Sequence, residues 1–530
     1  MTLLDDPVPY VAYEVPRHDR TAFVHPAIAS AGHLLSHSRV AAAHWDWKLG
    51  EEPIAFWRSQ ARRELLEAAV RYTSAYRPYD GVVDADRIVM AGHQPELFHP
   101  GVWFKNYALS VIGRDFQATA VNLVIDNDLR GSSSITVPTR TGAGVTAKTI
   151  EYDDPGLAVP FEQHRIANRD RFERFAGEVA DSVRPWVGDP CVVPMWQHAK
   201  EAIRRCGNIA CAISSGRHAL EASLGWQTLE LPLSIVCRGS SFAAFVLALV
   251  TDLPRLHKCY NSAVVHYRRA HRIRSSAHPV PLLRQQDGWW EVPLWTYDDA
   301  RSNRRPVWVR SEGNRRYFSD REGTTIQIPG HSEDPSLEPE RLLRALQAAN
   351  VKLRPRALVT TMYARLLLSD LFLHGIGGGK YDQLGDRIIQ RFFGVAPPPF
   401  MVLSATVMLP GIQRDNQPSE IARLRSRLRD VRFNPQRFAD QIPGSNLLAE
   451  HEALRSSVPE AGQRGRWHRQ ISRLRDRLES ELAPVKQRML GELSTAVKAQ
   501  KQTDLLASRE WPFCIYSTEM LVARFAEMLR

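Results

Sequence analysis

The chain has 530 residues, 44% hydrophobic and 24% charged, with a formal net charge of +11. This composition is that of a globular protein large enough for more than one domain, which excludes a disordered or fibrous chain. No apolar run approaches the roughly 20 residues of a bilayer span, and the acidic start, Met1-Thr2-Leu3-Leu4-Asp5-Asp6, is unlike a secretory signal, so a cytoplasmic protein without membrane attachment is expected.

The basic excess, mostly arginine, favours anionic partners, among which nucleotides, phosphorylated or carboxylated metabolites and nucleic acid all qualify. Six cysteines, Cys191, Cys206, Cys211, Cys237, Cys259 and Cys514, form no disulfide framework. Cys206 and Cys211 are spaced like half of a metal site, but no matching pair accompanies them, and no structural zinc is expected there.

Residues 1–85 read as a helical lead-in, with Phe56, Leu65, Leu66, Ala69 and Val70 at helical spacing. The next segment is the most informative. Ile88-Val89-Met90-Ala91 is a short apolar run. A turn-rich loop follows, Gly92-His93-Gln94-Pro95-Glu96-Leu97-Phe98-His99-Pro100-Gly101, and then a helix-like stretch from Val102 to Leu109. A second apolar run, 118–125, ends in Asp126-Asn127-Asp128. This order predicts strand, loop, helix, strand and acidic tip in a parallel α/β sheet, whose carboxyl ends face the ligand crevice.

The chemistry follows from that placement. Gly92 lets a ligand approach the backbone. His93, Gln94 and His99 can donate to an anion, Lys105 adds a point charge, and the helix start offers free N–H groups. The layout is similar to the HIGH-type loops of nucleotidyl-transferring proteins. Asp126 and Asp128, with Asn127 between them, can orient an amine or metal or act as base. Capping histidines and an Asx turn are the plainer alternatives.

Strands are expected over 132–152 and helices over 169–183 and 195–205. Leu231 to Val236 reads as another apolar run before a helix over 242–249. Residues 277–330, rich in Trp and β-branched side chains, read as a small antiparallel insert with a hairpin turn at Ser311-Glu312-Gly313-Asn314. Basic side chains cluster at 268–274 and 304–316, interleaved with Trp308 and Tyr317, as on a solvated face or a base-stacking surface. A helix is expected over 339–349. Further on, His374-Gly375-Ile376-Gly377-Gly378-Gly379-Lys380-Tyr381 offers an anion-binding nest, or a plain turn before a helix over 381–392. It lacks the P-loop spacing.

From Pro418 the pattern is near-heptad. Ile421, Leu424, Leu428 and Val431 make one stripe; Ile471, Leu474, Leu478, Leu482, Val485 and Met489 make another. Two antiparallel helices of coiled-coil type are expected over 413–505, interrupted at Pro484, and residues 506–530 should pack back on the core. The core itself is expected over 86–276 and 331–412.

Three patches resemble the bacillithiol biosynthesis cysteine-adding enzyme family. Gly92 to Phe98 with Gly101 is similar to that family's GQQPGLF-x-GP loop. Asn122 to Asp128 stands where the family has a strand ending in an EDHD-like motif. Leu353-Arg354-Pro355, Gly377-Gly378-Gly379, Tyr381 to Gln383 and Phe393-Gly394-Val395 are similar to its LRP, VGGP, Y-x-x-QL and FG elements. The resemblance implies a Rossmann-like core akin to nucleotidyltransferases, an inserted region, a coiled-coil arm and a ligase that joins cysteine to a glycosyl-malate amine. His93, Glu96, His99, Lys380 and the Asp-Asn-Asp tip depart from the family pattern. The expectation is an enzyme, a ligase or transferase of a divergent kind, with ATP or ADP as candidate nucleotides. Gly92, His93, Gln94, Pro95, His99 and Lys105 would hold the anion, Asp126 to Asp128 the amine, and Gly377 to Tyr381 would close the pocket. A homodimer through the arm fits the same pattern. The rival expectation is a non-catalytic scaffold or nucleic-acid-associated protein working through the arm and the basic insert.

Overall fold

The computed structural model describes residues 10–142, 144–273, 280–313, 315–328, 337–410, 420–457 and 459–530. The boundaries expected at 277, 330 and 412, and Asn314 of the predicted hairpin turn, lie outside the described residues. The chain is mixed α/β and divides into two units. The first comprises residues up to Val137, Lys148–Val407 and Arg509–Arg530; the second comprises Pro138–Ala147 and Met408–Ser508.

Eleven strands carry the two main sheets of the first unit: β1 (Thr21–His25), β2 (Ile88–His93), β3 (Thr119–Val124), β4 (Leu229–Pro232), β5 (Trp289–Asp298), β6 (Arg305–Glu312), β7 (Arg315–Ser319), β8 (Thr325–Ile328), β9 (Val351–Pro355), β10 (Leu371–His374) and β11 (Phe400–Thr406). The first sheet has the order β1-β11-β10-β2-β3-β4. Its inner neighbours pair in parallel, and β1 runs antiparallel along β11. Ile88 to Ala91 and all of β3 are buried, as expected of strands covered on both faces. The chain enters the sheet at β2, moves out through β3 and β4, and later returns on the other side through β10 and β11. The order therefore reverses between β2 and β10, the place where open α/β sheets hold their ligands.

Helix α1 (Ile54–Ser74) covers one face, burying Trp57, Leu65 and Leu66 among others. Helix α2 (Pro100–Asp115) follows β2. Its N-cap is His99, and Pro100 occupies the first turn, where a missing N–H costs nothing. Gly101 is required there, because a Cβ would collide with the carbonyl of Ala405 in β11. Helix α3 (Ile376–Ile388) follows β10. It starts five residues before the expected helix over 381–392, so the three glycines form its first turn. Gly379 lies too close to Val402 to carry a Cβ, and Gly378 packs on the His374 ring. Close packing thus offsets the entropy that glycine costs a helix.

The run expected over 231–236 also differs. Pro232 ends β4, and Leu233–Val236 is a single helical turn. Proline has no N–H for a continuing ladder.

The second sheet is antiparallel, in the order β8-β7-β6-β5-β9, with Gln285–Gln286 flanking β5. Strand β9, from beyond the aromatic segment, completes it. That pairing sets Pro355 and Arg354 opposite Leu294 and Trp295, and the next residue, Arg356, packs its guanidinium on the Trp295 ring.

The second unit contains α4 (Glu420–Phe433), α5 (Asn446–Ser456), α6 (Arg464–Glu481) and α7 (Ala483–Leu506). Pro484 stands in the first turn of α7 and separates it from α6. Val431, Phe438, Leu482, Val485 and Met489 form a small core. Among the described residues no helix is long and apolar enough to cross a membrane.

Candidate functional site

A cleft of about 850 Å³ opens at the carboxyl ends of β2, β3 and β10. Its floor comes from the loops that follow β2 and β10, and one wall comes from the antiparallel sheet through Trp295, Arg304 and Arg356. Segments distant in sequence therefore share one space. Gly92, His93, Gln94, His99, Lys105, Asn127, Asp128, Gly377 and Gly378 all line it. Pro95, Asp126, Gly379, Lys380 and Tyr381 do not.

Each floor residue is held by its neighbours. His93 donates from Nδ1 to the Gln94 carbonyl at 3.2 Å and packs edge-on against Phe98. Burial and the nearby Lys105 lower its pKa to about 3, so the ring is neutral, with Nε2 free to accept. His99 accepts the Gly101 N–H on Nδ1 at 3.1 Å, the capping role. Burial brings it down to about 4, which leaves the proton on Nε2. Gln94 donates to Asp128 at 2.9 Å.

Lys105 is 2% exposed and donates to the Gly92 carbonyl at 2.6 Å. Burial, assisted by the positive charge of Arg217, lowers its pKa to about 7. It is thus poised to gain or lose a proton near neutrality, as catalytic lysines are.

The acidic tip divides its work. Asp126 turns under the cleft and accepts from the Ser234 amide at 2.9 Å and from the Ser234 hydroxyl. Burial and the Glu162 charge raise its pKa to about 7. Asn127 donates to the Pro355 carbonyl at 2.9 Å. Asp128 faces the cleft and pairs with Arg304 at 2.7 Å.

The glycine cluster is likewise split. The amides of 376–378 precede the first intrahelical bond, which Gly379 makes to the Gly375 carbonyl at 2.9 Å. Gly377 and Gly378 are exposed. Lys380 instead lies near His271, and Tyr381 packs against Tyr267.

Four further side chains of the site were given no role of their own by the sequence, although His374 opens the glycine cluster. His374, the last residue of β10, donates from Nε2 to Asp382 at 2.8 Å. Asp382 is buried and also accepts from Arg365 at 2.7 Å and Thr361 at 2.6 Å, so its carboxyl lies well below the usual range. A carboxylate so held fixes the tautomer and leaves Nδ1 of His374 as an acceptor at the cleft. Arg356 is buried on the wall and pairs with Glu291 at 2.7 Å. Arg509 reaches Ser404 at 3.3 Å. One signal was available in advance: a strand closed by His and Gly occurs at 91–93 and again at 373–375. Arg356 had no such signal.

Lys105, Arg304, Arg356 and Arg509 face Asp128 and Glu510, and two helix starts border the same space. The arrangement suits a small anion, with a histidine acceptor and a low-pKa lysine at hand. No protein-family model matches the chain, and no curated protein matches it.

Proposed function

We propose that the chain is a cytoplasmic enzyme with a Rossmann-like core, a β-rich insert and a coiled-coil-type arm, which binds a nucleotide or another small anion in this cleft. Its reaction is a ligase or transferase step that joins an amino-acid-type substrate to an amine-bearing metabolite, as the resemblance to the cysteine-adding family implies. The observation that carries the reading is the convergence of three strand ends on one cleft at the sheet's switch point. ATP or ADP phosphates suit the amides of 376–378. His374, oriented by Asp382, is the group suited to take a proton from an amine or water. A homodimer through the arm belongs to the same proposal and is read from the mass in solution.

The test is a titration of the full chain with ATP, ADP and cysteine, alone and in pairs. A ligand present at 100 times its Kd adds about 2.7 kcal/mol to stability, a shift that thermal unfolding resolves. Once a substrate pair is found, His374→Gln and Asp382→Asn should keep binding and lose about 10²- to 10⁴-fold in turnover. If neither nucleotides nor amino acids bind, the reading is wrong.

The nucleic-acid reading has less support. Arg310 lies 4.6 Å over Trp289 and Arg284 lies 5.2 Å over Trp308, so arginines already cover the indoles that bases would stack on.

A further inference from the structure

Two arginines on the cleft wall hold donors that no described residue uses. Arg356 is 7% exposed. Its Nη2 donates to Glu291, and its guanidinium carbon lies 4.1 Å from the centre of the Trp295 indole. Its Nε and Nη1 are buried without an acceptor. Arg304 lies over the same indole at 5.1 Å and donates from Nη1 to Asp128. Its Nε is also buried without an acceptor.

Asn127 links the two. Its backbone carbonyl accepts from Arg304 at 3.5 Å, and its side chain donates to Pro355, next to Arg356. The Asn127 Oδ1 is buried without a donor. Three unused donors and one unused acceptor thus belong to three residues that line the same cleft. Buried polar groups of this kind are nearly always partnered, and a guanidinium cannot escape the cost by losing its proton. Glu291 and Asp128 balance much of the charge, so the unused donors, rather than net charge, make the case.

We infer that Arg356, Arg304 and Asn127 form an oxyanion subsite, distinct from the amides of 376–378, which receives a carboxylate or phosphate group of the second substrate. Asn127 Oδ1 takes a neighbouring O–H or N–H of the same molecule. This rests on the anionic-substrate reading above and specifies where the second anion binds. Indole packing and the two carboxylate partners hold both guanidiniums in place, so little ordering is left for binding to supply.

The test titrates the full chain, at constant ionic strength, with inorganic phosphate, glycolate and acetate. Saturable binding of phosphate or glycolate is expected, and whichever binds more tightly identifies the class. If the carboxylate is favoured, glycolate should exceed acetate, because only glycolate carries the adjacent hydroxyl. Arg356→Met should weaken the favoured anion at least about 10-fold, as for the loss of a charged hydrogen bond, and Arg304→Met by less. ADP affinity should stay within about two-fold. Arg356→Lys keeps a charge for Glu291 and should show an intermediate loss, which covers the case in which the Met variant does not fold. The inference is overturned if neither anion saturates the wild type, or if both Arg356 variants bind as the wild type does. Loss of ADP binding alone, with anion binding intact, would count against the nucleotide reading and leave the subsite standing.

Discussion

The two ends of the parallel sheet treat buried arginine differently. At the amino end, Arg58 and Arg62 of α1 close on Asp370, at 3.1 and 2.7 Å, just before β10. The other carboxylate oxygen accepts the Ile88 amide at 3.0 Å. Further donors of the two arginines reach the backbone carbonyls of Leu366, Leu367 and Ala85. Neither arginine keeps a buried donor without a partner. At the carboxyl end, Arg356 and Arg304 keep three. A saturated cluster ties a helix to two strand starts and is architecture. The unsaturated one beside the cleft is the anion subsite inferred above, and the two clusters differ in the count of partners rather than in the residue type.

The largest expected effect tests the amino end. Asp370→Ala strands two buried arginines and should cost about 3–5 kcal/mol of stability, measured by denaturant unfolding. The molecules that remain folded should bind anions as before. A cost below about 1 kcal/mol would show that the cluster ties nothing together.

The next effect concerns the helix that borders the cleft. Gly379→Ala forces a methyl group into Val402 and should cost about 1–3 kcal/mol. Unchanged stability would mean that α3 can move away from β11 freely.

Lys105 gives a pH signature. Its folded pKa of about 7 lies below the ordinary value of 10.5. Between those values the unfolded chain binds the extra proton, so stability should rise with pH, by at most about 1.4 kcal/mol per pH unit from this group. The gain is lost as pH falls back toward 7. Lys105→Met should flatten that part of the curve, and a curve that kept its slope would place the titration elsewhere.

The smallest effect is a control. Gly377→Ala meets nothing within 4 Å and should stabilise α3 by about 0.5–1 kcal/mol. A loss of stability there would mean that the first turn is strained.

Much of the carboxyl end was legible in the sequence. Parallel strands buried on both faces read as unbroken apolar runs, so β2 and β3 stood out, and the Gly-His and Asp-Asn-Asp segments marked their ends. The sense of the glycine cluster was legible only in part, because glycine signals a turn more strongly than a helix start; only the tertiary contacts of Gly378 and Gly379 make it helical. Asp126 was indistinguishable from Asp128 until β4 brought Ser234 beneath it. Arg356 and Trp295 meet through the pairing of β5 with β9, which no local pattern announces. The His374–Asp382 bond spans eight residues and becomes foreseeable only once the helix is known to begin at Ile376.

The central claim is that the carboxyl end of the sheet binds a nucleotide-like anion at its switch point. A crystal structure of the full chain with saturating ADP tests it most directly. The account predicts phosphate oxygens within hydrogen-bonding distance of the amides of 376–378. ADP bound elsewhere, with no phosphate at those amides, would contradict it.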